Sequence, residues 1–127
     1  MSHKKKKIML IDDEEDFLEV AALNLTDTGQ YEVRTVWKGI GVIKHLHEFR
    51  PDLVLLDMVM PDITGVDICK LFHDDPIGKT TPIVVLSALE KYEEKLKAFN
   101  LGIVGYINKP IDKGMLIQVI ESTLKMK

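Results

Sequence analysis

Apolar residues along this chain follow two patterns in turn, short unbroken runs and stretches that repeat at helical spacing. Ile8-Met9-Leu10-Ile11, Leu53-Val54-Leu55-Leu56 and Ile83-Val84-Val85-Leu86 are uninterrupted and are bounded by charged residues, proline or serine. Runs of this kind predict strands covered on both faces, as at the centre of a parallel sheet. Tyr31 to Val36 alternates polar and apolar instead, which predicts an edge or half-covered strand. Val104-Gly105-Tyr106-Ile107 predicts a short fifth strand. Between the strands, Phe17, Val20 and Ala21, with Leu18, Ala22 and Leu25, predict an amphipathic helix from Asp16 to about Thr26, stopped by Gly29. Ile40, Ile43 and Leu46, with Val42 and Phe49, predict a second that ends before Pro51. Val66, Cys69 and Phe72 begin a third, which runs out at Asp74-Asp75-Pro76 before a polar loop from Ile77 to Thr81. Tyr92, Leu96 and Phe99 mark a fourth, closed by Gly102, and Leu116, Val119, Ile120 and Leu124 a fifth.

Strand and helix thus alternate five times. That order calls for a parallel sheet with right-handed crossovers and helices on both faces, a doubly wound α/β fold. At 127 residues the chain is long enough for one domain with a proper core, spanning 1–127. Residues 1–6 read as a basic, solvated lead-in of the sort an expression tag leaves behind.

Composition narrows the function. With 46% hydrophobic and 29% charged residues the chain falls among globular proteins. A net charge of -3 argues against direct binding of nucleic acid, which favours a basic excess on one face. No apolar run approaches the ~18 residues of a membrane span, and the amino terminus lacks a signal peptide's apolar core. The expectation is a cytoplasmic protein with no membrane partner. Cys69 is the only cysteine and sits in a helical pattern, where a small buried hydrophobe is expected rather than a nucleophile. His45 and His47 are two apart, point to different sides of a helix and make poor joint metal ligands. Gly39-Ile40-Gly41 opens like a dinucleotide fingerprint but lacks its third glycine.

The chemistry concentrates where strands end. The first strand gives way to Asp12-Asp13-Glu14-Glu15-Asp16, the central one ends in Asp57 before Met60-Pro61, the fourth ends in Ser87, and the fifth delivers Asn108-Lys109-Pro110. In open parallel sheets, ligands bind at the carboxyl ends of the strands. Asp12, Asp13, Asp57, Ser87 and Lys109 therefore converge on one pocket. Carboxylates a few ångströms apart repel by roughly 4 kcal/mol per pair at an effective dielectric near 20, so positive charge must sit among them. Lys109 supplies one charge, and a divalent cation held by oxygen ligands alone fits magnesium better than zinc. An aspartate beside such a cation, a lysine and a hydroxyl is equipped to accept a phosphoryl group.

With Gly65 and Ser87-Ala88 added, this set of residues resembles the motif set of receiver domains of two-component response regulators over nearly the whole chain. The resemblance implies a flavodoxin-like fold with strand order 2-1-3-4-5. It implies that Asp57 is the phosphoacceptor, Asp13 the direct Mg2+ ligand, Asp12 a ligand through water and Val59 a ligand through its backbone carbonyl. Ser87 and Lys109 would grip the phosphoryl group, and Tyr106 would be the aromatic switch that remodels the surface of the fourth helix, fifth strand and fifth helix. The implied partners are a histidine kinase or phosphotransfer protein upstream, and a protein target or a missing output domain downstream. The protein would be a signalling domain rather than an enzyme, promoting its own phosphoryl transfer and autodephosphorylation. Two departures stand out: Ser87 replaces a commoner threonine, and Gly102-Ile103-Val104-Gly105 lacks the usual Gly-Ala run.

Three other readings compete. A phosphatase of the haloacid dehalogenase type needs a second aspartate two residues past the first, where Val59 stands. A nucleotide- or flavin-binding module needs a phosphate loop after the first strand, where five acidic residues stand. A receiver-like interaction domain not regulated by phosphorylation would tend to lose the acidic or lysine parts that are intact here.

Overall fold

The computed structural model describes residues 4–58, 60–87, 100, 102–108 and 111–125, with Ser87 described through its backbone. One sheet holds all five strands, β1 (Lys6–Ile11), β2 (Tyr31–Val36), β3 (Leu53–Asp57), β4 (Ile83–Ser87) and β5 (Gly105–Asn108). Their order is β2-β1-β3-β4-β5, and every neighbouring pair is parallel. This is the flavodoxin-like arrangement, with β2 at an edge as its polar alternation predicts. The described helices are α1 (Glu15–Thr26), α2 (Val42–Phe49), α3 (Gly65–His73) and α4 (Lys113–Lys125), with a 3-10 turn at Gly78–Thr80. The helix expected around Tyr92, Leu96 and Phe99 lies outside the described residues.

Two apolar layers flank the sheet, and the period-two geometry of the strands divides their residues between them. Met9, Ile11, Val54, Leu56 and Val85 face α2 and α3, meeting Leu46, Phe49, Ile68, Cys69 and Phe72. Ile8, Leu10, Leu53, Leu55, Val84 and Leu86 face α1 and α4, meeting Leu18, Leu25, Leu116 and Ile120. Unbroken apolar runs arise because both faces are covered. Each large side chain so buried contributes about 1.5–3 kcal/mol. Burial pushes the Cys69 thiol up to about 11, so the cysteine is an inert part of this packing.

Several boundaries and faces differ from the pattern-based reading. Val20, expected in the apolar face of α1, is 59% exposed, because Leu18, Ala21 and Leu25 define that face and Val20 lies about 200° around the helix from Leu18. Ile40, expected to begin α2, is exposed and precedes it. Gly41 adopts φ +86°, a left-handed conformation that breaks the helical path, so α2 starts at Val42. The loop expected from Ile77 to Thr81 contains the 3-10 turn, and Gly78 is buried there so tightly that a Cβ would lie 2.5 Å from the Phe72 carbonyl oxygen. His45 and His47 do diverge: His45 Nδ1 lies 3.5 Å from Arg34 Nη1, while His47 Nε2 lies 2.7 Å from Asp75.

Candidate functional site at the carboxyl edge of the sheet

Parallel pairing brings the acidic residues together. Ile11 is in register with Leu56, so the positions that follow in the two central strands are Asp12 and Asp57. The backbone of Asp12 is held by a bond from its N–H to the Val36 carbonyl at 3.0 Å, and Met58 is held by a bond from its N–H to Leu86 at 3.2 Å. The Asp12 carboxylate in turn accepts the Glu14 N–H at 2.9 Å, which shapes the turn into α1. Asp12 is fully buried, Asp57 is 4% exposed and Asp13 is open to solvent. One carboxylate oxygen from each of the three lies within 4.8 Å of the others.

Buried carboxylates this close are costly unless charge is balanced among them. The donor set, all oxygen and with one ligand facing water, fits a hard divalent cation that keeps part of its hydration shell. It does not fit a structural zinc site.

The loop after β3 is drawn tightly around this cluster. Gly65 N–H donates to the Met58 carbonyl at 3.0 Å, and the Thr64 hydroxyl caps α3 by accepting the Asp67 N–H at 3.1 Å. Ser87 closes β4 in register with Asn108, so the backbone places it on the same edge as Asp57, whose partner in β4 is the preceding residue Leu86. Tyr106 is half-buried on β5 and packs against the layer shared with α2 and α3. Val59 and Lys109 lie outside the described residues.

One feature of this edge is not marked by any sequence motif. A cleft of about 380 Å³ opens beside the acidic cluster, lined by Asp13, Glu15, Trp37, Lys38, Pro61 and Asp62 among others. Asp62 reaches across to the loop after β2, where one oxygen accepts the Gly39 N–H at 3.2 Å and the other the Ile40 N–H at 2.9 Å. The only hint in the sequence is an aspartate in a proline-led turn, and its partners are more than twenty residues away.

In a doubly wound sheet, ligands bind at the carboxyl ends of the strands near the switch point, which is where the buried Asp57 and its carboxylate neighbours stand. The comparisons with known proteins specify the family. The model of the response regulator receiver domain matches residues 8–121, and the chain belongs to that family. It is 30% identical over 121 residues to the response regulator PleD of Caulobacter vibrioides, a match covering 95% of this chain and 26% of PleD. It is 35% identical over 103 residues to the transcriptional regulatory protein KdpE of Mycobacterium tuberculosis, covering 81% of this chain and 44% of KdpE. The chain therefore spans about a quarter to a half of the length of these curated relatives. Among solved structures, the chemotaxis response regulator CheY4 of Vibrio cholerae superposes with a TM-score of 0.86 at 25% identity, covering 94% of this chain and 98% of that one. As a receiver domain the chain is a signalling module. Among the described residues no helix is long and apolar enough to cross a membrane.

Proposed function

We propose that this receiver domain takes a phosphoryl group onto Asp57 from a histidine kinase, a phosphotransfer protein or a small acyl phosphate, with Mg2+ bound in the acidic pocket. The observation that carries this reading is the meeting of buried Asp57 and Asp12 with Asp13 at the carboxyl edge, oxygens within 4.8 Å of one another. Asp13, Asp12, Asp57 and the Val59 carbonyl would hold the cation. When bound, it offsets the negative charge that gathers on the phosphoryl oxygens during transfer.

The chain's own residues do the rest. An Asp57 carboxylate oxygen attacks phosphorus in line with the donor bond. A new O–P bond forms, and the donor's P–N or P–O bond breaks, with its electron pair leaving on the donor. Burial on β3 fixes the attacking oxygen and limits the water that competes with it. Ser87 and Lys109 bind the transferred oxygens, and Tyr106 turns inward as the Ser87 loop follows its ligand. Loss of phosphate by attack of water on the acyl phosphate resets the domain. The receiver then acts through a docked protein target or an attached output domain, and itself makes no direct contact with nucleic acid or membrane.

Intact-mass spectrometry after incubation with acetyl phosphate tests the reading. Wild type should gain one phosphoryl group with Mg2+ and none with a chelator, and Asp57→Asn should gain none. Stoichiometric labelling of Asp57→Asn would refute the assignment. A wild type that stays unlabelled with Mg2+ present would favour an interaction domain that phosphorylation does not regulate.

A further inference from the structure

Resting on that reading, we infer that Asp62 is a positioning residue for phosphoryl transfer, acting as a latch between the loop after β2 and the loop that carries the pocket. Its two oxygens divide between two consecutive backbone amides, Gly39 N–H at 3.2 Å and Ile40 N–H at 2.9 Å. Such charge-assisted bonds to backbone N–H are stronger than neutral ones. They hold the Asp62 carboxyl below the ordinary carboxylate range, the Ile40 N–H contributing most.

The contact is shaped for close approach. A Cβ on Gly39 would fall 1.8 Å from Ile63 Cγ2 and 3.2 Å from Ile68 Cδ1, so the two loops pack where only a bare Cα fits. Asp62 itself is exposed, and it spans loops from two strands that are not neighbours in the sheet. Between those strands lies β1, whose own loop carries Asp12 and Asp13. The latch thus joins the loops on either side of the one that carries the acidic cluster, and it forms part of the wall of the cleft that Asp13, Trp37 and Lys38 also line.

The loop after β3 is already fastened by Gly65 to Met58 and by Met58 to Leu86. Loss of Asp62 should leave those anchors and the core intact. What it releases is the wall of the cleft beside Asp13, which Trp37 and Lys38 also line. Asp62 touches no reacting atom in this scheme. It acts through the loops it joins.

The experiment compares wild type, Asp62→Ala and Asp62→Asn for labelling by acetyl phosphate across a Mg2+ titration, at a temperature where circular dichroism reports each folded. Trp37 is the only tryptophan, so its emission reports the released loop directly. Asp62→Ala should label roughly tenfold more slowly or need about tenfold more Mg2+, the scale expected when a reacting geometry is displaced by a fraction of an ångström. Its Trp37 emission should shift to longer wavelength. Asp62→Asn keeps one of the two acceptor oxygens and should fall between. Wild-type labelling and Mg2+ dependence in Asp62→Ala would overturn the inference, as would slower labelling with unchanged Trp37 emission. An Asp62→Ala chain that does not fold would overturn it too, because the latch would then hold the fold and not the pocket. Failure of wild type to label at all is a different result, and it defeats the proposed function instead.

Discussion

The backbone N–H of Gly65 donates to the carbonyl of Met58 at 3.0 Å, and a Cβ built on Gly65 would lie 2.6 Å from the Met58 Cα. Helix α3 therefore starts hard against the residue that follows Asp57. The neighbour is backbone, which cannot rotate away as a side chain could.

Substituting Gly65 should accordingly strain the loop of Asp57. Gly65→Ala is expected to cost about 1–3 kcal/mol, the usual range for overpacking a tight contact. Urea denaturation would measure it. A Gly65→Ala midpoint equal to wild type would mean that the loop relaxes freely.

Acid should weaken the joint between α2 and the turn after α3. One Asp75 oxygen accepts the Ile77 and Gly78 N–H groups at 2.9 and 3.0 Å, and the other lies 2.7 Å from His47 Nε2. The Gly78 N–H, with smaller contributions from His47 and Ile77, holds the Asp75 carboxyl below its ordinary value of 3.8. A carboxyl lowered by folding adds stability above its unfolded pKa, and that stability is lost as pH falls through the folded one. Asp75→Ala should therefore lower the urea midpoint near neutrality, and the gap to wild type should narrow below about pH 4. A gap that stays constant down to about pH 2 would show that ionisation is not its source.

The phosphorylated state should be long-lived for its class. Val59 and Leu89, two positions beyond Asp57 and Ser87, would flank the approach of water in the proposed mechanism, and both lie outside the described residues. Neither side chain can orient a nucleophile. Decay of the phosphorylated protein with Mg2+ saturating should accelerate in Val59→Asn or Leu89→Glu. A tenfold gain would correspond to about 1.4 kcal/mol off the barrier. If both variants decay at the wild-type rate or more slowly, access of water is controlled elsewhere.

Tyr106 should respond to the pocket. It is half-buried beside the layer of α2 and α3, a depth from which an amphipathic ring can move either way. Ring resonances of Tyr106 should differ with and without beryllofluoride, a phosphoryl mimic, in the presence of Mg2+. Identical spectra with the mimic bound would rule out the switch.

Much of this protein was settled by local pattern. The runs at Ile8–Ile11 and Leu53–Leu56 could be read as buried strands because both sheet faces are covered, and the alternation from Tyr31 to Val36 as an edge because only part of it is. Alternating strand and helix then forced a parallel sheet. The acidic set Asp12, Asp13 and Asp57 followed, since the ends of parallel strands share one edge.

Tertiary packing decided what local periodicity could not. Which of Leu18 and Val20 faces inward depends on where α1 lies against the sheet, and a hydropathy pattern with apolar residues on several sides leaves that open. Gly41 and the start of α2 depended on a left-handed turn that only the assembled loop requires. The reach of Asp62 to Gly39 and Ile40 crosses the sheet between elements distant in the chain. No spacing rule encodes such a contact, because it exists only once β1 has been placed between β2 and β3.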